Sequence, residues 1–230
     1  GRSAGFLSRV ALRRDASVQA IARLLVPQGE GQQHGAAHHL LWTLFGDSAD
    51  RTRDFLWRQT EPGHFMVLSI REPVDQHGLF DIESREFAPR LKKESSLRFL
   101  LRANATVDRK VPGRTRSQRH DIVMDALHKL PSKERAVARE SVVPAVMAAW
   151  LTRQGARTGF DLASEALGIE SCDVLRIPRA QGQGKATLGV VDVTGVLRVT
   201  DPALFTSALL QGFGRARAFG CGLMLIRRAF

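Results

Sequence analysis

Apolar and polar residues alternate over several short stretches of the chain, and such alternation predicts β-strands because successive side chains of a strand point to opposite faces of a sheet. In the first half, strands are predicted at Phe6–Arg13, His64–Glu72, Phe80–Ala88 and Ser96–Ala103. Between the first two strands, apolar residues recur at helical spacing, which predicts a helix over His34–Phe45 with Leu41, Trp42, Leu44 and Phe45 in the core.

The second half begins after Arg109–Gln118, where Pro112 and Gly113 predict a basic loop. Asp201 is a predicted N-cap, with Pro202 at the first helical position. Helices are predicted at Ile122–Leu130, at Val142–Arg153 with a stop at Gly155, and at Pro202–Leu210; strands are predicted at Asp173–Ile177, Ala186–Val193, Val196–Val199 and Leu223–Arg228. The pattern therefore predicts two α+β units with antiparallel sheets, residues 5–108 and 109–230.

The charge of the chain favours a polyanionic partner. Lys and Arg number 34 against 23 Asp and Glu, a formal net charge of +11. Between Arg85 and Arg119 there are eleven basic and three acidic residues. A solvated surface is one explanation of such a run. Because the basic residues are spread over predicted strands and a loop, and not over one amphipathic helix, nucleic acid is favoured over a membrane.

The two cysteines, Cys172 and Cys221, have the spacing of neither a metal site nor a disulfide framework, which is typical of a reducing compartment. Apolar runs are shorter than the ~20 residues that span a bilayer, and no signal-peptide pattern is present. We therefore expect a cytoplasmic protein.

The segment 212–222 is rich in glycine and arginine. Glycine has no Cβ and permits positive φ, so such a loop could present backbone N–H groups to a phosphate, with the arginines adding positive charge. A sharp turn of purely structural purpose would need the glycines but not the arginines. The residues concerned are Gly212, Gly214, Gly220 and Gly222, with Arg215 and Arg217 between them.

This segment resembles the C-terminal glycine-rich motif of the CRISPR-associated CasE family, the repeat-processing endoribonucleases of type I-E systems. Weaker matches lie at Phe6–Val10, His38–Phe45 and Leu101–Asn104, so the resemblance covers essentially the whole chain. It implies two tandem ferredoxin-like (RRM-like) domains. It also implies that the protein cleaves CRISPR repeat RNA at the 3′ base of its stem and stays on the crRNA hairpin with other Cascade subunits, including the crRNA backbone protein.

Composition favours a duplex stem as the RNA that is bound. Aromatic residues make up 7% of the chain, tyrosine is absent, and neither half contains the aromatic motif on which RRM domains stack bases. An RNA-binding protein that is basic and poor in aromatics is better suited to the phosphates and shape of a stem than to single-stranded bases.

RNA cleavage by the 2′-OH needs a proton donor or acceptor that works near neutral pH, and histidine is suited to this. The resemblance places the functional histidine at His38. We expect His39 to be a residue of the helix surface, and a surface position is also the alternative for His38. Relatives often carry a tyrosine where this chain has Gly35. A zinc site at His34 and His38 lacks the Glu and the Cys or carboxylate ligands that would complete it, so no metal and no cofactor are expected. Whether His38 acts as acid or base stays open.

The candidates for RNA binding are one arginine of a predicted strand, basic residues in and directly after the predicted loop, two that flank the second half's Gly-rich turn, and two of the glycine segment: Arg102, Arg109, Lys110, Arg114, Arg116, Arg119, Arg179, Lys185, Arg215 and Arg217. The resemblance implies that a basic hairpin around Arg179 and Lys185 contacts the base of the stem. Two alternatives remain: a non-catalytic subunit that caps the hairpin, and a basic structural protein with general affinity for duplexes.

Overall fold

A computed structural model of the protein describes residues 4–15, 30–46, 55–163, 167–178 and 184–229. Within these ranges the helices are α1 (Glu30–Trp42), α2 (Ile122–His128), α3 (Arg135–Thr158) and α4 (Pro202–Gln211). The strands are β1 (Gly5–Leu12), β2 (Phe55–Glu61), β3 (His64–Ser69), β4 (Phe80–Phe87), β5 (Ser96–Ala103), β6 (Thr106–Arg109), β7 (Gln118–Asp121), β8 (Phe160–Leu162), β9 (Gly168–Pro178), β10 (Lys185–Val199) and β11 (Met224–Arg228). Single 3-10 turns lie at Thr43–Phe45 and Arg217–Phe219.

The first sheet has the strand order β2-β3-β1-β4, with every neighbouring pair antiparallel. Alternate residues of its strands pack on α1, where Leu41, Trp57 and Val67 are fully buried. This is the order of a ferredoxin-like sheet. The connection between β3 and β4 is irregular and contains no second helix.

The second sheet has the order β11-β5-β10-β8, with β9 also paired to β10. Helices α3 and α4 cover one of its faces through a core that includes Leu101, Met147 and Leu209. This unit contains a complete β-α-β-β-α-β succession of elements with antiparallel strands, in the chain order β5, α3, β9, β10, α4, β11. The expected fold class, α+β with two tandem ferredoxin-like units, is thereby confirmed.

Strand β5 belongs to the second sheet, because it pairs with β10 and β11 and not with any strand of the first sheet. The division at residues 108 and 109 expected from the sequence separates this strand from its partners. The sequence places the division at its most irregular segment, but residues 110–117 join β6 to β7 in a hairpin of the C-terminal unit. We therefore propose that the units divide between Phe87 and Ser96.

One contact between the two units uses the face of the first sheet that carries no helix. Leu56 and Leu68 of this face pack against Leu223, which leads into β11. Beside them, Arg58 Nη1 of β2 donates to Asp192 Oδ1 of β10 at 2.7 Å. The unit that carries α1 is therefore joined to the C-terminal unit by both apolar packing and an ion pair.

Local differences from the predicted elements have identifiable causes. Helix α3 continues through Gly155 and ends at Gly159, whose φ is +86°; Gly155 is the point where the Phe160 carbonyl approaches the helix, with no room for a Cβ. Strand β10 is continuous through Gly195, which lies under the ring of Phe99. None of the described helices is long and apolar enough to cross a membrane.

Candidate functional site

His38 lies in the third turn of α1 and is 8% exposed, so it is buried rather than on the helix surface. The Trp42 indole N–H donates to His38 Nε2 at 2.9 Å, which one helical turn of separation permits. The imidazole also stacks on Phe55 of β2, with ring centroids 5.8 Å apart. A ring whose Nε2 accepts a hydrogen bond carries no proton on that nitrogen. His39, by contrast, is exposed as expected.

Helix α1 lies against two parts of the C-terminal unit, strand β9 and the Arg217–Phe219 turn. The fold therefore brings the helix of His38 next to the turn that begins with Arg217. Arg217 is half-buried, and its guanidinium donates to the Gly212 carbonyl at 3.4 Å. Arg215 is exposed on the same loop. The helix that carries His38 and the turn that carries Arg217, far apart in sequence, are thus neighbours in the fold.

The glycines of segment 212–222 serve the protein's own packing. All four adopt positive φ, between +79° and +101°. A Cβ at Gly212 would lie 2.8 Å from Leu56, one at Gly214 would lie 2.9 Å from the Asn104 carbonyl, and one at Gly220 would lie 2.9 Å from the Trp57 ring. The N–H groups of Phe213, Arg215, Gly220 and Gly222 donate to backbone carbonyls. The structural explanation of the glycines therefore holds, and these four N–H groups are not offered to a phosphate.

Replacing Gly220 with alanine is expected to lower the free energy of unfolding by about 2–4 kcal/mol, because the left-handed conformation and the contact with Trp57 both penalise a Cβ. Urea unfolding followed by circular dichroism measures this. Gly35→Ala is the control: it lies in a helix with nothing within 4 Å among the described atoms, and alanine there should add up to about 1 kcal/mol. Equal stability of the Gly220 variant and the wild type would contradict the packing described above.

Arg102, one of the predicted RNA ligands, lies instead in a cluster of charges between the two units. Its Nε is 3.7 Å from Asp192 Oδ2, and its side chain is 18% exposed. Asp192 also accepts from Arg58 and, at 2.8 Å, from the hydroxyl of Ser171. No local pattern in the sequence singles out Arg58 or Asp192, because their ion pair joins two different sheets.

The basic residues of the β6–β7 hairpin fall into two classes, those paired with a carboxylate and those that are exposed. Arg109 forms a two-pronged ion pair with Asp125 of α2, and Arg119 Nε lies 3.2 Å from Asp108 Oδ1. The hydrogen bond from Arg109 lowers the pKa of the Asp125 carboxyl, and partial burial opposes this. Three predicted residues of the connecting segment are exposed, and no ion pair to them is found in the described part of the chain: Lys110, Arg114 and Arg116.

Strands β9 and β10 form the second basic hairpin. Lys185 is exposed at the start of β10. Arg176 of β9, which is not among the predicted RNA-binding residues, is exposed opposite Thr187. Arg179 lies outside the described residues. Cys221, within the glycine-rich segment, is fully buried, and burial raises the pKa of its thiol to about 12. Among the described residues, no group of three potential metal ligands comes together.

Comparison with known proteins identifies the family. The model of the CRISPR associated protein family matches residues 6–228. The chain belongs to this family. The CRISPR system Cascade subunit CasE of Escherichia coli K12 is 26% identical to this CRISPR associated protein over 216 residues, which are 89% of this chain and 96% of that one. The resemblance to CasE stated from the sequence is thereby confirmed.

Solved structures show that this CRISPR associated protein shares the fold of CasE-like proteins. The CRISPR endoribonuclease Cse3 bound to a 19-nucleotide RNA is 24% identical, with a TM-score of 0.71 over 99% of this chain and 100% of that one. Cas6e from Escherichia coli K-12 is 21% identical, with a TM-score of 0.62 over 97% and 99% of the two chains.

Proposed function

We propose that this protein is a metal-independent endoribonuclease that binds the stem-loop of CRISPR repeat RNA and cleaves the precursor at the 3′ base of the stem. The observation that carries the proposal is the packing of α1, with His38, against the Arg217–Phe219 turn. The helix that carries a proton-transfer group thereby lies next to a turn of the other unit that carries a cation. The names of the similar proteins, a Cascade subunit and an RNA-bound endoribonuclease, support the same function.

The proposed chemistry needs only groups of the RNA and of the protein. The 2′-oxygen forms a bond to the adjacent phosphorus, and the bond from phosphorus to the 5′-oxygen of the next nucleotide breaks. One proton leaves the 2′-OH and one reaches the 5′-oxygen, so the products carry a 2′,3′-cyclic phosphate and a 5′-hydroxyl. His38 performs one of these transfers, and Arg217 stabilises the charge that develops on the phosphate.

The contact between Trp42 and His38 sets a condition on this mechanism. While Nε2 accepts from the indole, it can neither deprotonate the 2′-OH nor protonate the leaving oxygen. If Nε2 is the nitrogen that transfers the proton, RNA binding must exchange the Trp42 contact for one with the substrate. The same burial of His38 favours a second candidate function, a non-catalytic subunit that only caps the crRNA hairpin.

Cleavage of repeat RNA in the presence of EDTA distinguishes the two candidates. We expect the purified protein to cut once, to leave a 2′,3′-cyclic phosphate, and to leave uncut an RNA with a 2′-deoxy nucleotide at the cut site. Intact RNA with tight hairpin binding would establish the non-catalytic candidate instead. After cleavage, we propose that the protein remains on the hairpin and joins other Cascade subunits, including the crRNA backbone protein, which co-purification with the crRNA would show.

The exposed cations of the β6–β7 loop are expected to contribute most directly to binding. Combined alanine replacement of Lys110, Arg114 and Arg116 should weaken hairpin binding and reduce the slope of log Kd against log salt by about one unit per lost phosphate contact. Arg198→Ala is the matched control, because Arg198 is held by Glu94 at 2.6 Å and Asp161 at 2.9 Å. Hairpin binding is measured at four salt concentrations for the wild type, the triple variant and the Arg198 variant. Equal salt slopes for all three proteins would exclude this loop from the RNA interface.

A further inference from the structure

Asn104 follows directly after β5, at the point where the backbone leaves the second sheet, and its side chain still bonds to that sheet. Strand β5 pairs with β10 as far as Ala103, which lies opposite Val191. Two residues further along β10, Asn104 Nδ2 donates to the Gly189 carbonyl at 2.7 Å. Asn104 is 3% exposed. The amide therefore supplies the donor that the departing strand no longer provides, at the base of the β9–β10 hairpin.

The backbone of Asn104 holds the glycine-rich segment at the same place. The Arg215 N–H donates to the Asn104 carbonyl at 3.1 Å, and the two residues form an isolated antiparallel bridge. Gly214 passes so close to this carbonyl that a Cβ would lie 2.9 Å from its oxygen. The exposed Arg215 side chain thus starts from a backbone position that Asn104 fixes.

The basic hairpin β6–β7 returns to this point as well. The Ala105 carbonyl accepts from the N–H of Ile122, the first residue of α2. Asp121, which ends the hairpin and caps α2 by accepting from Val123 and Met124, presses its carboxylate against Gly189, where a Cβ would have no room. Both ends of the hairpin are therefore anchored within two residues of Asn104 or on its partner Gly189.

We propose that Asn104 is a positioning residue for RNA recognition, which sets the relative placement of Arg215, the β6–β7 loop and the β9–β10 hairpin. The proposal rests on the proposed function. Asn104 holds the β9–β10 hairpin through its side-chain amide and Arg215 through its backbone carbonyl, and the β6–β7 hairpin begins two residues later. These three segments carry exposed cations but have no ladder pairing with one another among the described residues. Loss of the side-chain amide breaks the hydrogen bond to the Gly189 carbonyl. The cations of the three segments then no longer contact the phosphates of one stem at the same time.

The test compares Asn104→Leu, which keeps the volume but removes the donor, with the wild type. Ser8→Ala is the control. Ser8 is fully buried, and its hydroxyl forms a hydrogen bond with that of Ser84 within the first sheet, which does not contain Asn104. For each protein the active fraction is titrated first, and the hairpin Kd is then measured across salt concentrations. We expect the Asn104 variant to bind about tenfold more weakly per active molecule, with a salt slope reduced by one to two units. The Ser8 variant should match the wild type in both quantities.

A double-mutant cycle with Arg215→Ala separates positioning from general stability. In the Asn104→Leu background, Arg215→Ala should cost at least threefold less affinity than in the wild type, because the arginine is already misplaced. Additive effects with an unchanged salt slope would overturn the proposal. Asn104→Ala replaces the leucine variant if that protein does not fold, and failure of both to fold would show a role in stability alone and reject it.

Failure of the proposed function gives a different result. A wild type that binds an unrelated duplex as tightly as the repeat hairpin rejects the proposed function. A wild type that prefers the hairpin, combined with additive Asn104 and Arg215 effects, rejects only the role of Asn104.

Discussion

Replacing His38 with alanine is expected to reduce the single-turnover rate of repeat cleavage by at least about 10²-fold, the usual contribution of a general acid or base. Hairpin affinity should stay within about threefold of the wild type, because the predicted RNA-binding cations lie on other elements. Rapid mixing of excess protein with labelled repeat RNA gives the rate, and equilibrium binding gives the affinity.

The neighbouring His39 provides the matched control for this result. It lies on the same helix, is exposed, and its ring centroid is 6.0 Å from that of His38. His39→Ala should retain cleavage within a few-fold. His38→Gln tests whether lost packing against Phe55, and not lost chemistry, explains the alanine result. A His38→Gln protein that is folded and cleaves at the wild-type rate would remove His38 from the mechanism.

Replacing Asp192 with alanine is expected to lower the free energy of unfolding by about 3–5 kcal/mol, the cost of leaving buried charge uncompensated. The carboxylate is 10% exposed and lies between Arg58, 14% exposed, and Arg102. Its removal leaves two guanidinium groups facing each other at the contact between the units. Urea unfolding, followed by circular dichroism, measures the change.

Asp161 is the control for the Asp192 experiment. It also pairs with an arginine, Arg198, but both side chains are more than half exposed. Its alanine variant should lose less than about 1 kcal/mol, since water screens an exposed pair. If Asp192→Ala is no more destabilising than Asp161→Ala, the cluster between the units does not stabilise the protein.

The parts of the fold that local pattern determines could be predicted from the sequence. Strand β5 alternates strictly between a buried and a less buried face, and its predicted bounds match those observed. Helix α4 starts where its cap indicates, because the Asp201 carboxylate accepts from the N–H of Leu204 at 3.0 Å. In both cases the signal and the structure depend on the same few neighbouring residues.

Features that depend on distant partners were missed or misplaced. Strand β2 shows no alternation at Phe55, Leu56 and Trp57, since one face meets α1 and the other meets the C-terminal unit, so all three are buried. The unit to which β5 belongs is decided by β10 and β11, more than 80 residues later. The ion pair of Arg58 and Asp192 likewise depends on residues that are distant in sequence, so no local pattern predicts it.

For the candidate site, the sequence singled out segments but not the contacts that each residue makes within the protein. Arg102, Arg109 and Arg119 are committed to carboxylates of the protein, whereas Lys110, Arg114 and Arg116 are exposed. A count of basic residues treats both classes alike, because the acid that neutralises an arginine is known only once the chain has folded. Their roles in RNA binding, and that of His38 in cleavage, stay predictions.

The membership of β5 in the second sheet has an evolutionary consequence for the proposed enzyme. Every cation singled out for RNA binding, from Arg102 to Arg217, belongs to one half of the molecule, whereas the imidazole belongs to the other. Substitutions that follow changes in the repeat sequence can therefore accumulate in the half that binds the RNA, at positions other than Arg217, without altering the half that carries the imidazole. Related proteins that diverge in the repeat RNA they recognise would then keep the same cleavage mechanism.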